Sequence, residues 1–597
     1  MKSLGLVFLF LAMNVYAQTT APTAAEAQEF MNKAEAQLSD LSVKVQRASW
    51  VQENFITDDT QAMAADAIDE VTAVTTQLVE QSKRFDGLAL SPELARKFML
   101  LKLSLSAPAP KDAALRREMT EIGVSLDADY GKGKYCRKNG ECLDITAIEK
   151  LMSSSRDPEA LQEVWTGWHA IAPPMRQRYA RFVALSNQGA KEIGFKDTGA
   201  LWRAGYDMTP EEFSADLERL WNQVKPLYIS LHTFVRWKLA EKYGPNVIPP
   251  DGPIPAHLLG NPWAQEWGNV YDLLGVQEDK GGVGVNITEL LKQKNLDPKG
   301  MVKYGEGFFT SMGFAPLPPT FWQRSLFTKP ADRDVVCHAS AWDLDNLDDL
   351  RVKMCIQVRG TDFVTIHHEL GHNFYQRAYK DQPFMFKSGA NDGFHEAIGD
   401  AIALAITPEY LHKVGLLENV PHASNDIPEL LKQALDRVAF LPFGLMIDQW
   451  RWKVFSGEIA PGDYNKSWWQ LRLKYQGVVP PMPRSEADFD PGAKYHVAAN
   501  VPYTRYFLAH ILEFQFYRAL CRESGYKGPL HGCTFYGSKE AGAKFNKMLA
   551  MGQSKPWPDA LEVLTGERQT DAGALLEYFA PLKQWLDEQN KGKKVGW

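Results

Sequence analysis

One short run has the residue types and spacing of a metal centre: His368, Glu369 and His372 form an H-E-x-x-H pattern within Thr361 to His372. Positions four apart share one face of a helix, so both imidazoles can reach a single ion while Glu369 sits beside it. Such borderline nitrogen donors suit zinc, and a catalytic zinc needs a third protein ligand and an open position for water. Glu396 lies 24 residues beyond His372, enough for the first helix to end, turn and return with its carboxylate towards the metal. Asp400 stands one turn further on the same face, where it could orient a zinc histidine. Apart from this setting, Glu396 and Asp400 would read as an ordinary pair of helix-surface acids. His367 and His395 adjoin the expected ligands but point off the metal-facing side, and both are expected to be structural.

These side chains require helices, and helix dominates the chain. Between Ala24 and Asp86, apolar residues such as Phe30, Leu38, Leu41 and Val45 recur at helical spacing in a background rich in Ala, Gln and Glu. A similar period runs from about Phe213 to Leu239 and from about Leu430 to Val454, with Trp and Phe on faces that should be buried. Pro/Gly-rich stretches at Val247 to Pro262, Leu317 to Pro319 and Val478 to Pro483 read as loops, none long enough for a flexible interdomain linker. The expectation is a mainly α protein: one large helical domain, divided by a cleft into two lobes.

With 45% hydrophobic residues and a formal net charge of -7, the chain can bury a core and lacks the concentrated basic surface of a nucleic-acid binder. A protein or peptide partner is expected. Lys2, the apolar run Leu4 to Met13 and the small-residue end at Ala17 read as a signal peptide over 1–17. That places 18–597 as the catalytic domain of an exported, periplasmic or secreted protein. No later run of about twenty apolar residues offers a membrane anchor. The six cysteines fall into three local couples: Cys136 with Cys142, Cys337 with Cys355, and Cys521 with Cys533. Adjacency favours these pairings without settling them. No C-x-x-C spacing supports a zinc-cysteine site, so structural disulfides are expected.

The segments His367 to His372 and Gly393 to Asp400 together resemble the angiotensin-converting enzyme family of peptidyl-dipeptidases. The likeness continues through Gly252 to Asn261, Trp263 to Trp267, Cys337 to Trp342, Asp490 to His496 and Val501 to Tyr506. It implies a two-lobed helical fold with a deep central cleft partly lidded by the N-terminal helices, in a single-domain member. The three cysteine couples also match the family's disulfides. By the same resemblance His368, His372 and Glu396 bind one zinc, and Glu369 deprotonates the attacking water and then protonates the departing amine. Tyr506 and His496 hydrogen-bond the oxyanion. Gln265, Lys494 and Tyr503 hold the terminal carboxylate of a short peptide, while His338 and Ala339 engage its backbone.

Departures from the family pattern concern anions. His169 follows Trp165 and Trp168 where chloride-activated relatives carry Arg, although Arg472 remains. Asp392 stands where those relatives have Pro and the chloride-poor branch an acid; a carboxylate close to Arg505 could neutralise it, although Asp is shorter than the Glu expected there. Chloride is therefore expected not to be required. Two rival readings are a carboxypeptidase releasing single residues, whose branch has Arg in place of Gln265, and a catalytically inactive binding homologue. The presence of all three ligands and Glu369 argues against the latter.

Overall fold

The structure is a computed structural model that describes residues 21–276, 285–421 and 426–597. The expected signal segment 1–17 lies outside the described residues. Among those described, twenty-three α-helices and three two-stranded sheets make a mainly α fold. None of these helices is long and apolar enough to cross a membrane.

The N-terminal region expected as helix from Ala24 to Asp86 is a pair, Ala24–Asn54 and Asp58–Ser82. The reason for the break is local. Thr57 accepts from the backbone of Thr60, and Asp58 and Asp59 occupy the first turn of the new helix, where negative charge suits the exposed N–H groups. Ala27, Met31 and Leu38 pack against Leu78, Val79 and Phe85, with Leu94, Phe98 and Leu101 from the helix Pro92–Leu103 completing a small core. This cluster is separate from the main one, which draws its residues from Met119 to Leu586. The N-terminal helices thus form a lid with its own core. A cavity of about 600 Å³ lies beneath them, lined by Leu38, Val45 and Leu103 on the lid side and by Tyr206, Asp392 and Arg505 opposite.

Four helices frame the chemistry: Gly360–Ala378, Asp392–Leu404, Ile427–Ser456 and Thr504–Glu523. Helix Asp392–Leu404 packs between the H-E-x-x-H helix and Thr504–Glu523. From Val438 to Phe455 nearly every side chain of the long helix is buried, whichever way it points, as expected of a helix at the centre of a large core. The strands Ser340–Asp343 and Leu350–Lys353 pair antiparallel, Ser340 opposite Lys353, beside the H-E-x-x-H helix.

Candidate metal centre

Helical spacing brings His368 and His372 together with Nε2 atoms 3.0 Å apart. The following helix carries Glu396 to the same point, its Oε2 3.7 Å from Nε2 of His368. One ligand atom from each of the three lies within 4.8 Å of the others. Tetrahedral ligands at zinc distances stand about 3.3 Å apart, so the donor set fits such an ion. The close crossing of the two helices depends on glycine. A Cβ on Gly371 would lie 2.9 Å from the Cα of Gly399, and one on Gly399 would lie 2.7 Å from Nδ1 of His368.

Electrostatics also favour a cation here. Burial disfavours the charged form of His368, but the hydrogen bond and charge of Asp400, with Glu369 and Glu396 adding to it, raise it to about 9. His372 is pushed well down, first by burial and then by the charge on His368. Behind them, Asp400 lies 3.2 Å from Nδ1 of His368. Burial works against its ionisation, yet Arg437 and His368 hold it below the usual carboxylate range. Arg437 is itself paired with the fully buried Glu513. Glu369 is buried beside this cluster, and burial raises its carboxyl despite the nearby charges of His368, His338 and Lys353.

His367 is structural, as expected, bonded through its two nitrogens to the Phe363 carbonyl and the Tyr410 hydroxyl. His395 is more than that. Its Nδ1 is 3.3 Å from Nδ1 of His372, and its Nε2 is 3.2 Å from the hydroxyl of Tyr379. It therefore braces a metal-facing histidine, a role hidden in the sequence because the residue before a ligand normally points elsewhere on a helix.

Across the site, Tyr503, Tyr506 and His496 form an edge-packed ring cluster, with centroids 4.6–5.6 Å apart. Burial, helped by Lys494, Arg451 and Arg505, pushes His496 down to about 3, so it is a neutral imidazole at ordinary pH. The loop that delivers these residues is pinned by Asp448 and Arg451 of the long buried helix. Asp448 accepts from the backbone of Tyr503 and Thr504 at 2.7 Å each, and Arg451 donates to the His496 carbonyl at 2.7 Å. Two buried ionic residues directly after the apolar run Val438 to Ile447 are the available signal for this support.

Lys494 is buried, donates to Oε1 of Gln265 at 2.6 Å, and sits over the rings of Trp263 at 4.2 Å and Tyr503 at 5.5 Å. Burial lowers its ammonium to about 7. His338 is exposed, its Nδ1 2.9 Å from the carbonyl of Ala339. Both precede the strand Ser340–Asp343. The buried Lys353 ammonium holds the carbonyls of Val336 and His338.

Arg505 Nε lies 3.4 Å from Oδ2 of Asp392, an ion pair without hydrogen-bond alignment. Arg472 is buried between Phe443 and Trp469 and bonded to the Trp263 carbonyl, and burial lowers it to about 9. His169 stacks on Trp165 at 3.8 Å, and burial pushes it down to about 4. All three cysteine couples are disulfides: Cys136–Cys142, Cys337–Cys355 and Cys521–Cys533.

A mainly helical fold here gathers an H-E-x-x-H pair and a glutamate from the next helix, with a buried carboxyl beside them, the arrangement that metallopeptidases of the H-E-x-x-H class use. The sequence profile of the angiotensin-converting enzyme family matches residues 21–597. The angiotensin-converting enzyme of Theromyzon tessulatum is 40% identical over 588 residues, covering 97% of this chain and 94% of that protein. That of Bos taurus is 46% identical over 499 residues, 82% of this chain but 38% of its own length. The chain thus spans well under half of such mammalian relatives. The angiotensin-converting enzyme-like protein Ace3 of Mus musculus is 43% identical over 488 residues, 80% of this chain and 66% of its own. The chain belongs to the angiotensin-converting enzyme family.

Proposed function

We propose that this chain is a zinc-dependent peptidyl-dipeptidase that removes dipeptides from the free C-termini of short peptides, with 18–597 acting as one catalytic domain in an exported, soluble protein. The observation that carries the reading is the buried Lys494–Gln265 pair, joined through Tyr503 to the His496 and Tyr506 cluster that flanks Glu396. A cation at that place is a carboxylate receptor. It gives the cleft a fixed end from which to count residues.

His368, His372 and Glu396 would hold the zinc, with Asp400 and His395 fixing the two imidazoles. When bound, zinc supplies Lewis acidity, lowering the pKa of water and polarising the scissile carbonyl. Glu369, buried and with its carboxyl raised, takes the proton from water and passes it to the leaving amine. Neutral His496 and Tyr506 donate to the oxygen on which charge develops. Lys494, Gln265 and Tyr503 bind the terminal carboxylate, and Ala339 pairs with the substrate main chain as an added strand, with His338 beside it.

Hydrolysis of a blocked tripeptide with and without a chelator tests the enzymatic reading. Release of the C-terminal dipeptide that stops on chelation is the expected result. Undiminished cleavage in chelator, or none in its absence, overturns it.

A further inference from the structure

The receptor for the substrate's terminal carboxylate is surrounded by acid. Gln265, whose Oε1 accepts from Lys494 at 2.6 Å, donates through its Nε2 to Glu266 at 3.3 Å. One amide thus bridges the anchoring ammonium to a carboxylate. Glu266 and Glu149 both exert their charge on Lys494, and Asp436 and Glu149 act in turn on Glu266. These groups converge from separate elements. Glu149 belongs to the helix Ile145–Ser154, Glu266 to the loop after Trp263, and Asp436 to the long buried helix, where it accepts from the backbone of Gly268 at 3.2 Å. Among the described residues none of the three carboxylates forms an ion pair within 4 Å, whereas Arg437, the cation next to Asp436, is committed to Glu513 and Asp400.

Two carboxylates, Glu266 and Glu149, therefore face one lysine, and Asp436 adds its charge beside Glu266. A peptide whose last residue is apolar adds its own carboxylate and makes the pocket more negative still. A cationic side chain on that residue offsets the addition. We propose that the pocket receiving the C-terminal residue selects lysine or arginine, with Glu266, Glu149 and Asp436 as the specificity-determining carboxylates. Burial raises all three carboxyls, an effect offset only in part by the charge of Lys494 on Glu149 and Glu266 and by the Gly268 backbone and Arg437 on Asp436. Glu266 is enclosed by these neighbouring groups yet keeps an open face to solvent, by which an incoming ammonium or guanidinium can reach it.

The inference rests on the peptidyl-dipeptidase reading, and its test separates the two. Blocked tripeptides identical except for a C-terminal lysine, norleucine or glutamate are compared by kcat/KM. Norleucine keeps the lysine stem without its charge. The lysine peptide should exceed the norleucine peptide by ~10-fold or more, and the glutamate peptide should be poorest, given the strength of charge interactions in partly buried surroundings. Glu266→Gln and Glu149→Gln should each shrink the lysine-to-norleucine ratio several-fold. Equal kcat/KM for lysine and norleucine in the wild type overturns the proposal while dipeptide release itself stands. Failure to release a dipeptide from any of the three overturns the parent reading, and this one with it.

Discussion

Gly371 and Gly399 face each other where the H-E-x-x-H helix crosses the helix carrying Glu396, so closely that a Cβ on Gly371 would lie 2.9 Å from the Cα of Gly399. The contact sets the depth at which Glu396 meets the two histidines. Gly399→Ala would also put a methyl 2.7 Å from Nδ1 of His368, displacing the ring from Asp400. The expected loss is about 1–3 kcal/mol of stability from overpacking. Asp400→Asn, by contrast, should weaken zinc by roughly 10–100-fold without comparable overpacking. Chelator competition and thermal denaturation on both variants read the two effects separately. An unchanged Tm and zinc affinity in Gly399→Ala would refute the packing argument.

Because burial holds Lys494 down at about 7, its anchoring should depend on pH near neutrality. Below that value the ammonium is charged and receives a carboxylate. Above it, binding must first take up a proton, so kcat/KM for free-acid peptides should fall by up to ~10-fold per pH unit, relative to amidated peptides of the same sequence. Lys494→Ala and Gln265→Ala should cost free acids about 10- to 100-fold and amides far less. Equal losses on both substrate types would remove the anchor assignment.

Asp392 lies 3.4 Å from Arg505, beside Tyr506, and on the proposed reading its carboxylate takes the place of a bound anion. Activity should therefore be nearly independent of chloride when it is exchanged for acetate at constant ionic strength. Asp392→Pro should acquire chloride activation. A several-fold rise with chloride in the wild type would overturn the prediction, and would point to the buried Arg472 as the responding cation.

Reduction should leave a folded but less stable protein. The closed loops are short, with cysteine separations of 6, 12 and 18 residues, so each constrains the unfolded chain by at most about 2–3 kcal/mol. Thermal denaturation with and without reductant should show a lowered Tm and an unchanged far-ultraviolet spectrum before melting. Loss of helicity on reduction at room temperature would contradict this.

The metal cluster was the most legible part of the sequence, because a helix turns four-residue spacing directly into proximity. Glu396 and Asp400 followed from the same rule applied one helix later. The break at Thr57 is absent from the sequence reading: a capping threonine followed by two acids marks it, but the apolar period continues across it and masks the turn. Tyr506, His496, Lys494 and Gln265 could be assigned only through resemblance. Gln265 and Lys494 are 229 positions apart in the chain, and no periodicity carries information over that distance. His395 was missed because the geometry of one helix says nothing about how closely the next approaches. Asp448 and Arg451 follow an apolar run in a helix that carries other charges, and their task of pinning Tyr503, Thr504 and His496 is a tertiary fact.

The central claim is that the cleft counts two residues from a free C-terminus to a metal-assisted cut. Mass spectrometry of the timed products of one decapeptide tests it most directly, run on the zinc-loaded wild type, on the chelated protein, and on Glu369→Gln. Masses should fall by two residues at a time from the C-terminus, with no products after chelation and at least a ~100-fold slower reaction in Glu369→Gln, which should still bind zinc. Residues leaving one at a time, or Glu369→Gln cleaving at the wild-type rate, would contradict it.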